Sequence, residues 1–257
     1  MGYFRLLSKS ILNIENTFKM NIKIPIFVIV HDRITVLKKS VKSFVEQINT
    51  PIEIIFHDVA STYPPCLDYL EEQRKKGHKV YRTEINHHHT INDTVKKYLD
   101  EHPECEYYVI TDPDIELDNV NGDILEYYLY LMKKHDNKLI VGPMLRIDDI
   151  PDHYPKKNIA VHLHKQQFWN NKPDTVEYKD NKYEIQYALI DTTFQLVHRS
   201  NNKPINRPGI RCYSPYSARH LDWYIDPKNM EPDQEYYSKN ANQIAHWGRN
   251  VRSPNYC

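Results

Sequence analysis

Buried strands alternate with amphipathic helices along the first half of the chain. Residues 24–30 (IPIFVIV) are a continuous apolar run rich in β-branched side chains, which predicts a strand buried on both faces of a sheet. Apolar positions at helical spacing then predict a helix over 34–48, with one apolar face made of Leu37, Val41, Phe44, Val45 and Ile48. The alternation continues with strands predicted at 52–56, 78–82, 107–110 and 138–141 and helices at 64–76, 91–99 and 119–135. This order predicts an α/β protein whose mostly parallel strands are joined by helical crossovers.

The pattern becomes less regular from about residue 142, where Pro, Asn, Tyr and His are frequent. Residues 187–198 predict one long strand or a bent pair, and 215–224 and 233–242 predict short helices. The chain has no internal repeat and no Gly/Ser-rich linker. We therefore expect one continuous domain over residues 23–257.

The first 22 residues place Leu7, Ile11, Ile14 and Phe18 at helical spacing, which predicts an amphipathic helix. Such a stripe usually packs on its own domain, and the alternative is peripheral contact with a membrane surface or a partner. No apolar run of 18 residues predicts a transmembrane segment, and the N-terminus lacks the apolar core of a signal peptide. With four dispersed cysteines, these features predict a cytoplasmic protein with reduced thiols.

Positive and negative charges balance along the chain, with 34 basic residues, 34 acidic residues and a net charge of +0. This balance argues against nucleic-acid binding driven by a general positive field. The first strand is not followed by a glycine-rich dinucleotide fingerprint, and the chain has no phosphate-cradling G-x-x-x-x-G-K loop. A conventional nicotinamide enzyme and a P-loop nucleotidase are therefore disfavoured.

Polar side chains follow the predicted parallel strands at the points where the strands end. Open α/β sheets bind their ligands at the carboxyl ends of their strands, so these groups are expected to meet at one edge. The groups are His31-Asp32-Arg33, His57-Asp58, Asn86-His87-His88-His89 and Asp112-Pro113-Asp114. Their convergence predicts a binding site more strongly than any one of them does.

Asp112 and Asp114 suggest a metal site. Residues two apart in a strand face the same side, and Pro113 between them has no N–H to continue the ladder. The two carboxylates would then emerge together, as hard oxygen ligands suited to Mg²⁺ or Mn²⁺ with diphosphate oxygens completing the shell. The alternative interpretation is a solvated acidic turn.

Residues 24–145 resemble the nucleotide-sugar-dependent glycosyltransferases of the GT-A fold, in the broad family-2 group. Asp58, in the stretch HDVAS at 57–61, matches the acid that holds the base in that family, although His57 and Val59-Ala60 depart from the usual Asp-Asp-Gly-Ser. Asp112-Pro113-Asp114 matches the family's Asp-x-Asp motif. The resemblance implies a GT-A (Rossmann-like), mostly parallel central sheet flanked by helices, with a less regular C-terminal acceptor-binding portion.

The resemblance also implies roles for particular residues. Residues 24–145 become the nucleotide-sugar-binding half and 146–257 the acceptor-side half. Asp114 becomes the direct metal ligand, and Asp112 is shared with the ribose or a metal-bound water. The implied nucleotide contacts are His31, Asp32, Arg33, Asp58, Asn86, His88 and Asp112.

The second half of the chain matches the family less closely. His246, in AHWG at 245–248, stands where many relatives carry a late metal-binding histidine, and His220 is the second choice. The Glu-Asp pair that holds the catalytic base in many relatives is missing from 215–224. Asp222 and Asp191 are therefore the two candidate bases, and a helix-cap or donor-hydroxyl contact is the alternative for each.

The expected activity is transfer of a sugar from a nucleoside-diphosphate sugar, by family habit a UDP-sugar, to a hydroxyl group. The resemblance implies dependence on Mn²⁺ or Mg²⁺ and an inverting mechanism, with a glycan, protein or lipid as acceptor. One alternative is a haloacid-dehalogenase-like phosphohydrolase, in which the first aspartate of Asp-x-Asp is the nucleophile. Another is a non-catalytic module that binds sugar nucleotides. The oligomeric state stays open.

Overall fold

The computed structural model describes residues 23–87, 89–135, 140–201 and 207–240. Three predictions concern residues outside the described ranges: the helix over residues 1–22, the nucleotide contact at His88 and the metal ligand at His246. The strands are β1 (Ile24–Val30), β2 (Ile52–Val59), β3 (Lys79–Thr83), β4 (Tyr107–Thr111), β5 (Ile115–Glu116), β6 (Ile140–Pro143), β7 (Asp174–Tyr178), β8 (Asn181–Ile190), β9 (Gln195–His198), β10 (Arg207–Cys212) and β11 (Arg219–His220). The helices are α1 (Ile34–Gln47), α2 (Pro64–Lys75), α3 (Thr90–Glu101), α4 (Ile124–Lys134), α5 (Lys157–His164) and α6 (Pro232–Asn240), with a π-helix at Lys165–Trp169 and a 3₁₀ turn at Leu221–Tyr224.

The central sheet runs through both halves of the described chain in the order β3-β2-β1-β4-β9-β6-β10-β8-β7. The pairs among β1, β2, β3 and β4 are parallel, as the strand–helix alternation predicts. β9 and β8 are antiparallel to both of their neighbours, so the other strands share one direction. The predicted α/β class with a mostly parallel sheet is therefore confirmed.

Helices cover both faces of this sheet, with α1, α2 and α4 on one face and α3 on the other. Strand β1 contacts both helical layers, because successive side chains of a strand point to opposite faces of the sheet. Phe27 packs edge-on against Tyr98 of α3, with ring centroids 5.3 Å apart. Val28 faces the other way and belongs to the same buried cluster as Leu37 of α1. An apolar run without alternation is thus what a strand between two helical layers requires.

Two elements of the second half differ from the prediction. Residues 187–198 belong to two strands, β8 and β9, which are separated in the sheet by β10 and β6. The helix predicted over 215–224 is instead the short strand β11 followed by a 3₁₀ turn. β11 pairs with β5, and Ala218 bonds through its backbone to Met144 and Arg146. This distant pairing satisfies the backbone and overrides the local helical pattern.

No described helix combines the length and the apolar character needed to cross a membrane.

Candidate functional site

The carboxyl ends of β1, β2 and β4 meet at one edge of the sheet. Val30 lies opposite Asp58 on β2, and Val28 lies opposite Thr111 on β4. The antiparallel pair β5–β11 follows β4 and brings His220 from the second half of the chain to the same edge. The predicted convergence of polar strand ends is therefore present, with one additional segment.

Arg33 joins two buried carboxylates at this edge. Its Nη1 atom donates to Asp114 Oδ2 at 2.9 Å and to Asp222 Oδ1 at 2.7 Å. Asp114 and Asp222 are each 1% exposed and Arg33 is 7% exposed. Charged groups this deeply buried are stable only when they are paired. Two carboxylates facing one guanidinium leave one negative charge to be compensated.

Besides Arg33 Nε, three buried polar atoms of this group have no hydrogen-bond partner among the described residues: Asp114 Oδ1, Asp222 Oδ2 and His220 Nδ1. Such atoms are costly to bury unless something completes their coordination. Each of the three residues also offers one metal-ligand atom, and these atoms lie within 4.8 Å of one another. The group of Asp114, His220 and Asp222, called the acidic cluster below, therefore fits a divalent cation.

The pKa shifts in the acidic cluster also favour a bound cation. Burial favours a raised pKa for Asp114, but Arg33 and His220 outweigh burial and hold that pKa below its usual value. Burial raises the pKa of Asp222, with Arg33 opposing and the neighbouring Asp114 adding to the rise. The excess negative charge is thus carried by a carboxyl that tends to hold a proton. A bound cation could take the place of that proton.

Asp112, the first aspartate of the motif, lies outside the three-residue group. Its Oδ2 accepts a hydrogen bond of 2.7 Å from Thr192 Oγ1, and its backbone N–H donates to the Thr192 carbonyl at 2.7 Å. Burial and the charge of Asp114 raise the pKa of Asp112 well above its usual value. Asp112 is therefore oriented by the β8–β9 connection, while Asp114 is oriented by Arg33.

Asp58 ends β2 in a different environment. Its Oδ1 accepts a hydrogen bond of 2.9 Å from the Ser61 N–H, and its Oδ2 accepts one from Arg82 at the end of β3. Asp32 has a structural role, since its Oδ1 accepts the N–H groups of Thr62 and Tyr63 at 2.6 and 2.7 Å. Asp32 thereby holds the loop after β2 close to the end of β1.

The structure also describes the surroundings of three other predicted nucleotide contacts, His31, Asn86 and Arg33. His31 donates through Nδ1 to the Val59 carbonyl at 2.7 Å, so this ring also ties β1 to the end of β2. The Nδ2 atom of Asn86 is buried without a hydrogen-bond partner among the described residues, which fits a contact to a ligand. Arg33, predicted to touch phosphate or base, is instead paired with the two carboxylates.

His57 stands where the family has an acid, and it is fully buried. Thr90 gives its hydroxyl proton to the His87 carbonyl, so His57 Nε2 donates to Thr90 Oγ1 at 3.0 Å and Nδ1 accepts from Thr94 at 3.0 Å. Burial lowers the pKa of His57 from 6.5 to about 4. This histidine is therefore a neutral core residue that anchors α3.

Replacing His57 by glutamine should make the protein less sensitive to acid. The unfolded chain protonates this histidine near pH 6.5 and the folded chain only near pH 4, so stability is complete above pH 6.5 and falls as the pH drops towards 4. The loss attributable to His57 is about 1.4 kcal/mol per pH unit. Urea unfolding of both proteins between pH 7 and pH 4.5 measures the difference. Equal slopes of stability against pH would exclude this role for His57.

The two candidate bases occupy very different positions. Asp222 is buried in the acidic cluster, whereas the side chain of Asp191 is 52% exposed. Asp191 lies on the rim of a cleft of about 420 Å³ and is 3.5 Å from Nη2 of the buried Arg211. Asp191 is therefore accessible from the cleft, whereas Asp222 is enclosed in the acidic cluster.

Helix α6 covers the outer side of Arg33 and was not assigned to the site from the sequence. Tyr237 lies over the guanidinium, with 4.9 Å between the Arg33 Cζ atom and the ring centroid. Asp233 accepts hydrogen bonds from the backbone N–H and the hydroxyl of Thr35 at 2.7 and 2.9 Å. Nothing in the local pattern of residues 232–240 signals this docking, which depends on contacts about 200 residues away in the chain.

Comparison with known proteins gives distant likenesses. No family model matches the chain. It is 29% identical over 149 residues to "Uncharacterized protein L142" of Acanthamoeba polyphaga mimivirus, and the match covers 54% of this chain. The match spans only 29% of the length of that protein.

Solved structures similar to this chain include glycosyltransferases. GalNAc-T7 with UDP, GalNAc and Mn²⁺ has a TM-score of 0.48 and 12% identity, covering 77% of this chain and 43% of that one. S. aureus TarS 1–349 has a TM-score of 0.45 and 14% identity, covering 78% and 61%. Mannosyltransferase PcManGT from Pyrobaculum calidifontis, with GDP-Man and Mn²⁺, has a TM-score of 0.40 and 14% identity, covering 69% and 45%. At identities of 14% or less and TM-scores of 0.48 or less, these likenesses assign no activity to this chain.

Proposed function

We propose that this protein is a metal-dependent glycosyltransferase that moves a sugar from a nucleoside-diphosphate sugar to a hydroxyl group. The observation that supports the proposal is the acidic cluster at the carboxyl edge of the sheet, where Asp114, Asp222 and His220 each have a buried polar atom with no hydrogen-bond partner among the described residues. Open α/β sheets bind ligands at this edge. The Asp-x-Asp motif on which the resemblance rests supplies Asp114 to the cluster.

The donor would lie along the strand ends, with its diphosphate near the acidic cluster and its base near Asp58. Asp114, Asp222 and His220 would hold the cation, which when bound neutralises the leaving diphosphate as a Lewis acid. Mg²⁺ prefers oxygen ligands alone, so an imidazole in this set favours Mn²⁺. Asp58 and Asn86 are proposed to contact the nucleotide, and UDP is the nucleotide expected from the resemblance.

Asp191 is proposed as the base, because it is the candidate carboxylate that a bound molecule can reach. The acceptor oxygen forms a bond to the anomeric carbon while the bond from that carbon to the diphosphate oxygen breaks. The leaving diphosphate keeps the electron pair, and the hydroxyl proton passes to Asp191. A single displacement of this kind inverts the anomeric configuration.

The proposed function is tested by incubating the protein with a panel of nucleotide sugars, with and without Mn²⁺, and measuring released nucleoside diphosphate. Release that depends on Mn²⁺ is expected with one donor of the panel, and a chelator should abolish it. Hydrolysis of p-nitrophenyl phosphate without nucleotide-sugar turnover would instead support the phosphohydrolase. Binding of UDP without turnover would support the non-catalytic module.

Replacing Asp191 by asparagine should lower kcat for transfer by about 100-fold or more, because the proton acceptor is lost. The KM for the donor should change little, since Asp191 lies outside the acidic cluster. Steady-state kinetics with the active donor measure both parameters, and Asp174→Asn on the exposed strand β7 is the matched control. Near-normal kcat in Asp191→Asn would remove Asp191 from the mechanism.

A further inference from the structure

A cleft of about 420 Å³ lies between the π-helix at Lys165–Trp169 and strand β8. Its volume is within the range of small-molecule sites, about 300–1,000 Å³. π-helical turns are rare and occur frequently at functional sites. The turn presents Gln167 and Phe168 to the cleft, and Asn171, two residues beyond its end, also lines the cleft. A rare helical geometry therefore lines this cavity.

The lining of this cleft combines amides with apolar surfaces. Gln167 and Asn171 are exposed at the rim, and Asn171 Nδ2 donates to the Gln167 carbonyl at 3.1 Å. Phe168 and Leu189 provide apolar surface, and Leu189 is 57% exposed. Amides donate and accept hydrogen bonds, which suits hydroxyl groups that do the same. Amides beside apolar surface match a sugar, which has hydroxyl edges and apolar C–H faces.

The charges of the cleft disfavour an anionic ligand. Arg211 is 3% exposed and donates to the backbone carbonyls of Leu189 and Pro143 at 2.8 and 3.0 Å. Its Nη2 atom lies 3.5 Å from Asp191 Oδ1, so its positive charge is already compensated. Arg211 is too deeply buried to meet a ligand, so the half-exposed carboxylate of Asp191 is the member of this ion pair that faces the cleft, and it disfavours a phosphate or a carboxylate on the ligand. A neutral ligand fits this arrangement.

The cleft adjoins the reactive edge of the sheet through the β8–β9 connection. Asp191 on the cleft rim precedes Thr192, whose hydroxyl donates to Asp112 at 2.7 Å. A molecule in the cleft would thus lie beside Asp191, which is next in the chain to the residue that holds Asp112.

We propose that the cleft between the π-helix and β8 binds a neutral saccharide, and that this saccharide is the acceptor. The acceptor role rests on the proposed glycosyl transfer, whereas saccharide binding does not. A phosphorylated sugar, a uronic acid or a lipid phosphate is excluded as the preferred ligand by the charge of Asp191.

Saturation-transfer difference NMR on the whole protein, without nucleotide or metal, tests saccharide binding independently of turnover. The neutral probes are cellobiose, lactose and N,N′-diacetylchitobiose, and the anionic probes are glucose 6-phosphate and glucuronic acid. Gln167→Ala and Asn171→Ala remove the rim amides, and Gln166→Ala and Asn170→Ala are matched exposed controls beside them. At least one neutral probe should bind, with affinity lowered about tenfold in the rim variants and unchanged in the controls.

Absence of binding by every neutral probe, stronger binding of an anionic probe or equal losses in rim and control variants would overturn the saccharide site. Its failure can be separated from a failure of the glycosyl transfer. Saccharide binding that follows the rim amides, with no turnover in the donor panel, refutes the transfer and supports the saccharide site. Donor turnover with no saccharide binding refutes this site alone.

Discussion

Replacing Arg33 by methionine is expected to lower the free energy of unfolding by about 3–5 kcal/mol in metal-free solution. The change leaves the carboxyls of Asp114 and Asp222 buried together without their shared guanidinium. Mn²⁺ should then restore much of the loss, because a cation that binds only the folded state at 100 times its Kd adds about 2.7 kcal/mol. Urea unfolding with and without Mn²⁺ measures both effects.

The matched control is Arg82→Met, which removes the partner of a different buried carboxylate, Asp58. Arg82 is 39% exposed, so its loss should cost less, and Mn²⁺ should stabilise this variant as it does the wild type, because the acidic cluster is unchanged. An Arg33→Met protein as stable as the wild type would contradict the ion-pair account. Absence of stabilisation by Mn²⁺ in either variant would contradict the metal site.

Replacing Asp114 by asparagine should lower Mn²⁺-dependent turnover of the nucleotide sugar by at least about 100-fold, because charge stabilisation of the leaving diphosphate is lost. The fold should persist, since Arg33 and Asp222 remain as a balanced pair. Calorimetric titration with Mn²⁺ and donor kinetics measure the loss, and circular dichroism checks the fold. Asp148→Asn, at a carboxylate that is 74% exposed, is the control with the same chemical change.

Asp112→Asn separates the two aspartates of the motif. Asp112 is held by Thr192 and lies outside the three-residue group, so its loss should raise the KM for the donor more than it lowers kcat. If Asp112→Asn abolished Mn²⁺ binding while Asp114→Asn retained it, the assignment of the ligands would have to be reversed.

The first half of the fold could be predicted from the sequence because its signals are local. The run at 24–30 becomes β1 with those bounds, and the spacing at 34–48 becomes α1. The meeting of the strand ends followed from parallel order alone. The insertion of β9 between β4 and β6 could not be predicted, since antiparallel pairing with residues 55 or more positions away leaves no local trace.

The location of the site could be predicted from the sequence, whereas the residues that form it could be predicted only in part. Asp114 and His220 were predicted as ligands, and both belong to the acidic cluster. Asp222 was predicted as a base and lies in the acidic cluster, because β11 pairs with β5 where the local pattern predicts a helix. Arg33 was predicted to contact the nucleotide. No sequence signal indicates that it pairs with Asp114 and Asp222, which lie 81 and 189 residues away from it in the chain.

Pulsed EPR of bound Mn²⁺ tests most directly whether Asp114, Asp222 and His220 form the metal site. One Mn²⁺ ion should bind, and its spectrum should show nitrogen coupling from an imidazole ligand, which His220 supplies. The coupling should disappear in His220→Gln and persist in His153→Gln, at an exposed histidine outside the cluster. Nitrogen coupling that persists in His220→Gln, or Mn²⁺ coordinated by oxygen atoms alone, would contradict the account.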